Sequence, residues 1–76
     1  MEDITAAILN EVERANPAFI ARDVGIEVLP KGLFERRKRL RLFGVVHSAE
    51  EKSLVLNAAK DHAGSVYEVV DELRVH

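Results

Sequence analysis

Arg37-Lys-Arg-Leu-Arg-Leu-Phe-Gly-Val-Val46 alternates strictly, and Ser48-Ala-Glu-Glu51 follows almost at once. The first stretch puts Leu40, Leu42, Gly44 and Val46 on one face and Arg37, Arg39, Arg41, Phe43 and Val45 on the other, which is the pattern of a half-buried strand. The second is a capping box. A serine hydroxyl accepts from the backbone N–H three residues on, and the glutamate reaches back. Strand therefore gives way to helix near Ser48, and the rest of the chain is read outward from that junction.

Upstream, Val24 to Leu29 alternates too, with Val24, Ile26 and Val28 on one side and Gly25, Glu27 and Leu29 on the other. Pro30-Lys31-Gly32 breaks this run and leaves Leu33 and Phe34 in a loop longer than a tight turn requires, so the two strands form a hairpin. Before it, residues 3 to 15 read as an amphipathic helix capped by Asp3, with Ile4, Ala7, Ile8, Val12 and Ala15 on one stripe. Asn16-Pro17 ends that helix, because a residue before proline avoids helical backbone angles. Phe19 and Ile20 are expected to pack as the chain turns back.

Downstream, a second helix runs to about Ala63, with Val55, Ala58, Ala59 and His62 on its apolar stripe and Leu54 and Leu56 at the margins. Gly64 suits a helix end. Val66 to Val75 reads as the last strand, with Leu73 and Val75 inward. Asp71 within it marks a bulge or a hydrogen bond at the sheet edge. The order is helix, strand, strand, helix, strand. Its simplest packing is an α+β two-layer sandwich, αββαβ, with two helices on one face of a three-stranded mixed sheet. Gly44, facing inward, is expected to leave room for a helix or a ring.

Charge is distributed unevenly. Lys31, Arg36, Arg37, Lys38, Arg39 and Arg41 are six of the eleven basic residues, and only Glu35 opposes them locally. The segment from 31 to 41 is therefore +5, and the remaining chain, with five cations and twelve acids, is −7. A net charge of −2 conceals this separation. Basic side chains gathered on a hairpin, with Leu33 and Phe34 beside them, form a candidate surface for anionic lipid headgroups. The competing structural role is cross-strand pairing, in which Glu27, Glu68 and Glu72 neutralise Arg37, Arg39 and Arg41.

Other classes are poorly served. Seventy-six residues make one small domain, here spanning 1–76, with room for one core and little for a deep cleft. With no cysteine there is neither a disulfide nor a thiolate metal site. The three histidines fit no ligand spacing. His47 is placed near the sheet edge, His62 in the core and His76 at the terminus. No nucleophile–base pair or phosphate loop is visible, so neither an enzyme nor a cofactor is expected. Arg37, Arg39, Arg41 and an outward Phe43 hold the ingredients of a base-stacking sheet, yet one aromatic on a chain of acidic balance makes nucleic acid the weakest partner. No apolar run is long enough to span a bilayer. Met-Glu-Asp-Ile is acidic where a signal peptide is basic. This points to a protein that stays where it is made, or to a domain excised from a longer chain.

Taken in order, these pieces resemble the BON domain, a small bacterial module named for osmotic-shock and nodulation proteins. Asn16-Pro17 is similar to that family's Asp-Pro, and Ile26-Glu-Val28 resembles its first strand. Leu40-Arg-Leu-Phe-Gly44-Val-Val46-His-Ser48 looks like its Val-x-Leu-x-Gly-x-Val-x-Ser signature. Glu51-Lys52 and Ala59-Lys60 fit its second helix, and Gly64, Val66, Val69, Asp71, Leu73 and Val75 fit its closing strand. The resemblance covers nearly the whole chain. It departs in a longer, more basic hairpin connection, in an extra Ser65, in His62 where the family has an aliphatic residue, and in lacking the envelope leader common there. It implies the αββαβ fold, a bacterial envelope setting and a non-enzymatic phospholipid-binding module. The alternatives are a protein-interaction module meeting an acidic partner or another copy, or weak binding of single-stranded nucleic acid.

Overall fold

A computed structural model describes residues 3–30, 32–34 and 36–76. Helix α1 spans Ile4–Ala15, a 3-10 turn Ala21–Asp23, strand β1 Val24–Leu29, strand β2 Lys38–Val46, helix α2 Ala49–Ala63 and strand β3 Tyr67–Val75. The sheet order is β1-β2-β3. Val24 to Leu29 pair antiparallel with Gly44 to Arg39, and Lys38 to Val46 pair parallel with Tyr67 to Val75. The fold is α+β, two helices with a three-stranded mixed sheet, and α2 crosses from β2 to β3 along the sheet.

Local chemistry sets these boundaries. The Asp3 carboxylate accepts from Thr5 N–H at 3.1 Å and opens α1. At its other end Asn16 leaves helical geometry ahead of Pro17, and its side chain accepts from Ala18 N–H. Ser48 Oγ accepts from Glu51 N–H at 3.0 Å and opens α2. Gly64 closes α2 at φ 53°, ψ −131°.

One cluster holds the layers together. Ile8 and Val12 of α1, Val55, Ala58, Ala59 and Ala63 of α2, and Val24, Leu40, Leu42, Val46 and Leu73 of the sheet are buried, with Phe19 closing one end. Leu40, Leu42 and Val46 are fully buried because they lie on the central strand, beneath the helices. Edge positions fare differently. Val28 and Val75, expected inward, are exposed, as is Ile20 beside the buried Phe19. Those two valines lie on the outer strands, where one flank has no neighbouring strand to cover it.

His62 requires a larger correction. It is exposed rather than part of the core, and its Nε2 lies 3.4 Å from Glu11 Oε1. The buried stripe of α2 runs through Glu51, Val55, Ala59 and Ala63, with Ala58 beside it. This sets His62 on the margin facing α1. Gly44 also plays another part than expected. Its φ is 104°, and a Cβ there would collide with the carbonyl oxygen of Asp23, so backbone rather than a helix or ring occupies the space. Asp71 makes an edge hydrogen bond, its Oδ1 accepting from Leu73 N–H at 3.0 Å, within a register that continues unbroken to Val75.

Candidate anion-binding hairpin

The connection between β1 and β2 carries three of the six basic residues of the run and β2 the other three, and the structure divides that run in two. Toward the tip, Leu33 and Phe34 are 92% and 95% exposed. Arg36, Arg37 and Lys38 are exposed beside them, and none of the three makes an ion pair among the described residues. Lys31, part of this surface in the sequence pattern, lies outside the described residues. Arg39 follows in β2, exposed and opposite Glu68 across the parallel pair.

Arg41 belongs to the sheet instead. Its Nε donates to Glu72 Oε1 at 2.8 Å, and its Nη1 lies 3.6 Å from Glu27 Oε1. The central strand thus binds a carboxylate from each neighbour. The hydrogen bond to Glu72, with the charges of Glu72 and Glu27, raises the Arg41 pKa above its ordinary value. The cross-strand pairing role is therefore filled at Arg41, by Glu27 and Glu72, while Arg37 keeps an unpaired charge among the described residues.

Phe43 completes this inner group. The far edge of its ring rests against Gly25, its cross-strand partner, and the Arg41 guanidinium sits 4.4 Å from the ring centroid. With one face covered by a cation and an edge seated on backbone, Phe43 is committed to the sheet and poorly placed to receive a base. A concavity of 650 Å³ over this face is lined by Arg41 and Arg74 with Glu72, beside Phe43 and Val45, and within it Glu72 is already engaged by Arg41.

A smaller groove of 260 Å³ lies at the hairpin end. Arg37 lines it together with Lys60 and Gly64 from the end of α2 and with Tyr67 and Glu68 from the start of β3. Lys60 was not among the residues singled out for this surface. Only topology could have found it. Because β2 and β3 are parallel, α2 must run back along the sheet, and its last turn arrives at the hairpin end of β2.

The remaining polar groups form isolated pairs. His47 Nε2 lies 3.4 Å from Asp23 Oδ2, and His62 stands against Glu11 at the same distance. Among the described residues there is no group of three or more metal-ligating side chains, and no helix is long and apolar enough to cross a membrane. Comparison of the chain with protein-family models, with curated proteins and with solved structures found no match.

Proposed function

We propose that this domain is a non-catalytic binding module that attaches to an anionic phospholipid surface through the tip of its β1–β2 hairpin. The observation that carries this reading is the almost complete exposure of Leu33 and Phe34 beside three cations without ion-pair partners among the described residues, Arg36, Arg37 and Lys38. Neither apolar side chain contributes to the core. An apolar tip ringed by cations suits the boundary between headgroups and acyl chains.

Magnitudes decide what kind of attachment this is. Each cation near an anionic surface contributes about 1 kcal/mol. Full burial of a leucine or phenylalanine is worth roughly 1.5–3 kcal/mol, of which a shallow tip recovers part. The total, about 5–6 kcal/mol, matches a single acyl anchor, which binds reversibly and only marginally. The domain would therefore act as one weak contact among several, tethering a larger chain or complex. The resemblance to BON modules leads to the same class of ligand and to a bacterial envelope setting.

Liposome flotation tests this directly. Binding is expected to vesicles containing phosphatidylglycerol, to be weak on purely zwitterionic vesicles, and to fall with salt. Leu33→Ser with Phe34→Ser should abolish it while leaving the melting temperature unchanged. Equal flotation on both kinds of vesicle, or full binding by that double variant, would show the reading to be wrong.

A further inference from the structure

The two outer strands of this sheet are finished differently. On β3, Asp71 accepts from the Leu73 N–H at 3.0 Å, and Lys52 Nζ stands 3.4 Å from the other Asp71 oxygen. A charged pair therefore caps a backbone donor that points away from β2, a common way of keeping an edge from pairing. β1 has no such device. Its single charge, Glu27, reaches inward to Arg41 on β2. The strand is unbroken by bulge or proline from Val24 to Leu29. Val28 on this strand is 39% exposed, and Ile20, in the turn that leads into it, is 40% exposed. Its first residue, Val24, donates its N–H to the carbonyl of Ala21 in the preceding turn, and among the described residues no other backbone hydrogen bond reaches β1 from beyond the sheet.

We propose that β1 is a pairing edge for a second copy of this chain, the two β1 strands running antiparallel so that two three-stranded sheets become one of six. A two-fold axis perpendicular to the sheet relates the copies, which keeps both helical layers on the same side. Only alternate registers preserve that match of faces. Centring the pair on Glu27 sets two glutamates directly opposite each other. Centring it on Gly25 sets Glu27 opposite Asp23. Like charges so placed are destabilising. Centring it on Ile26 avoids both. Ile26 then meets the partner's Ile26, Val24 meets the partner's Val28, and Glu27 meets the partner's Gly25, beside the ring of Phe43 and the guanidinium above it. Of the two registers that pair five of the six β1 residues, those centred on Ile26 and on Glu27, the charge pattern thus selects the first. The two hairpin tips of such a dimer face opposite ways.

This proposal does not depend on lipid, so its test uses none. Light scattering and sedimentation of the whole chain from micromolar to millimolar concentration should show a reversible dimer. Val28→Lys introduces a charge at the pairing edge and should weaken association at least tenfold, with an unchanged circular dichroism spectrum. Because the chain has no cysteine, a single Ile26→Cys reports the register. Opposed residues in an antiparallel pair lie about 4.5–5.5 Å apart at Cα, within disulfide reach. Ile26→Cys should cross-link on oxidation, and Glu27→Cys should do so far less. A wild-type chain that is monomeric throughout overturns the proposal, as does a dimer that Val28→Lys leaves intact or that cross-links better through Glu27→Cys. Should Ile26→Cys fail to fold, Val28→Lys decides alone.

Discussion

Gly44 holds a φ of 104° directly against the carbonyl oxygen of Asp23, the residue that leads into β1. Two penalties therefore meet at one position. A side chain at positive φ costs about 1–3 kcal/mol, and a Cβ here also collides with backbone, which cannot swing aside as a side chain would. Gly44→Ala should lose about 2–4 kcal/mol, and a domain of this size has only roughly 4–8 kcal/mol in all. Thermal unfolding followed by circular dichroism should show a fall of about 10–20 °C. Gly64 is the control. Its φ is 53° but a Cβ there meets nothing, so Gly64→Ala should cost only the conformational part, about 1–2 kcal/mol. Equal losses at the two positions would contradict the collision with Asp23.

The hairpin cations should act additively and independently of the fold. Reversing or neutralising Arg36, Arg37 and Lys38 one at a time should weaken flotation about fivefold each, following ~1 kcal/mol per cation. The triple variant should lose roughly 100-fold. Melting temperatures should hold, since surface substitutions of this kind usually stay within about ±0.5 kcal/mol. If a single substitution removes all binding, a specific pocket rather than a diffuse field is responsible, and the groove shared by Arg37, Lys60 and Tyr67 becomes the place to look.

The fold was legible because its signals were local. Asp3, Asn16-Pro17, Ser48 and Gly64 each mark a helix end through hydrogen bonding or backbone restriction, and the period-two runs mark strands wherever the inner face is covered. What escaped was set by neighbours distant in sequence. Val28 and Ile26 alternate as cleanly as Leu40 and Leu42, yet no pattern within β1 says that one flank lacks a strand. Arg41 and Arg37 look equivalent on the outward face of β2. They differ because Glu27 and Glu72 come alongside only one of them. The recruitment of Lys60 to the hairpin end follows from the parallel crossover alone.

That difference predicts opposite phenotypes. Arg41→Gln should leave membrane attachment close to wild type while lowering the melting temperature, whereas Arg37→Gln should do the reverse. The Arg41 pKa is raised, so its ionic contribution is fully present below the ordinary arginine value and is lost only as pH climbs through the higher folded value. No loss from this group is expected at neutral or mildly alkaline pH. Salt is the effective lever. In roughly molar salt, where the Debye length is about 3 Å, the gap between wild type and Arg41→Gln should narrow. A double-mutant cycle with Glu72→Gln should show modest non-additivity, because both variants delete the same solvent-exposed 2.8 Å contact.

His62 offers the sharpest check on how the two helices meet. A histidine within the apolar stripe would leave a cavity and an orphaned polar contact when shortened, at a cost of several kcal/mol. Here it stands exposed, 3.4 Å from Glu11 across the α1–α2 seam. Exposed pairs of this type are worth about 0–1 kcal/mol. His62→Ala should therefore shift stability by under about 1 kcal/mol, and Glu11→Gln should produce a change of similar size. The two effects should overlap when combined. Ala63→Asp, one residue on, sits in the buried stripe and should unfold the domain at physiological temperature, since an unpaired buried carboxylate costs several kcal/mol. Urea denaturation of the four variants orders them. A His62→Ala loss as large as that of Ala63→Asp would mean that α2 is rotated by about one residue, or roughly 100°, from the orientation described above.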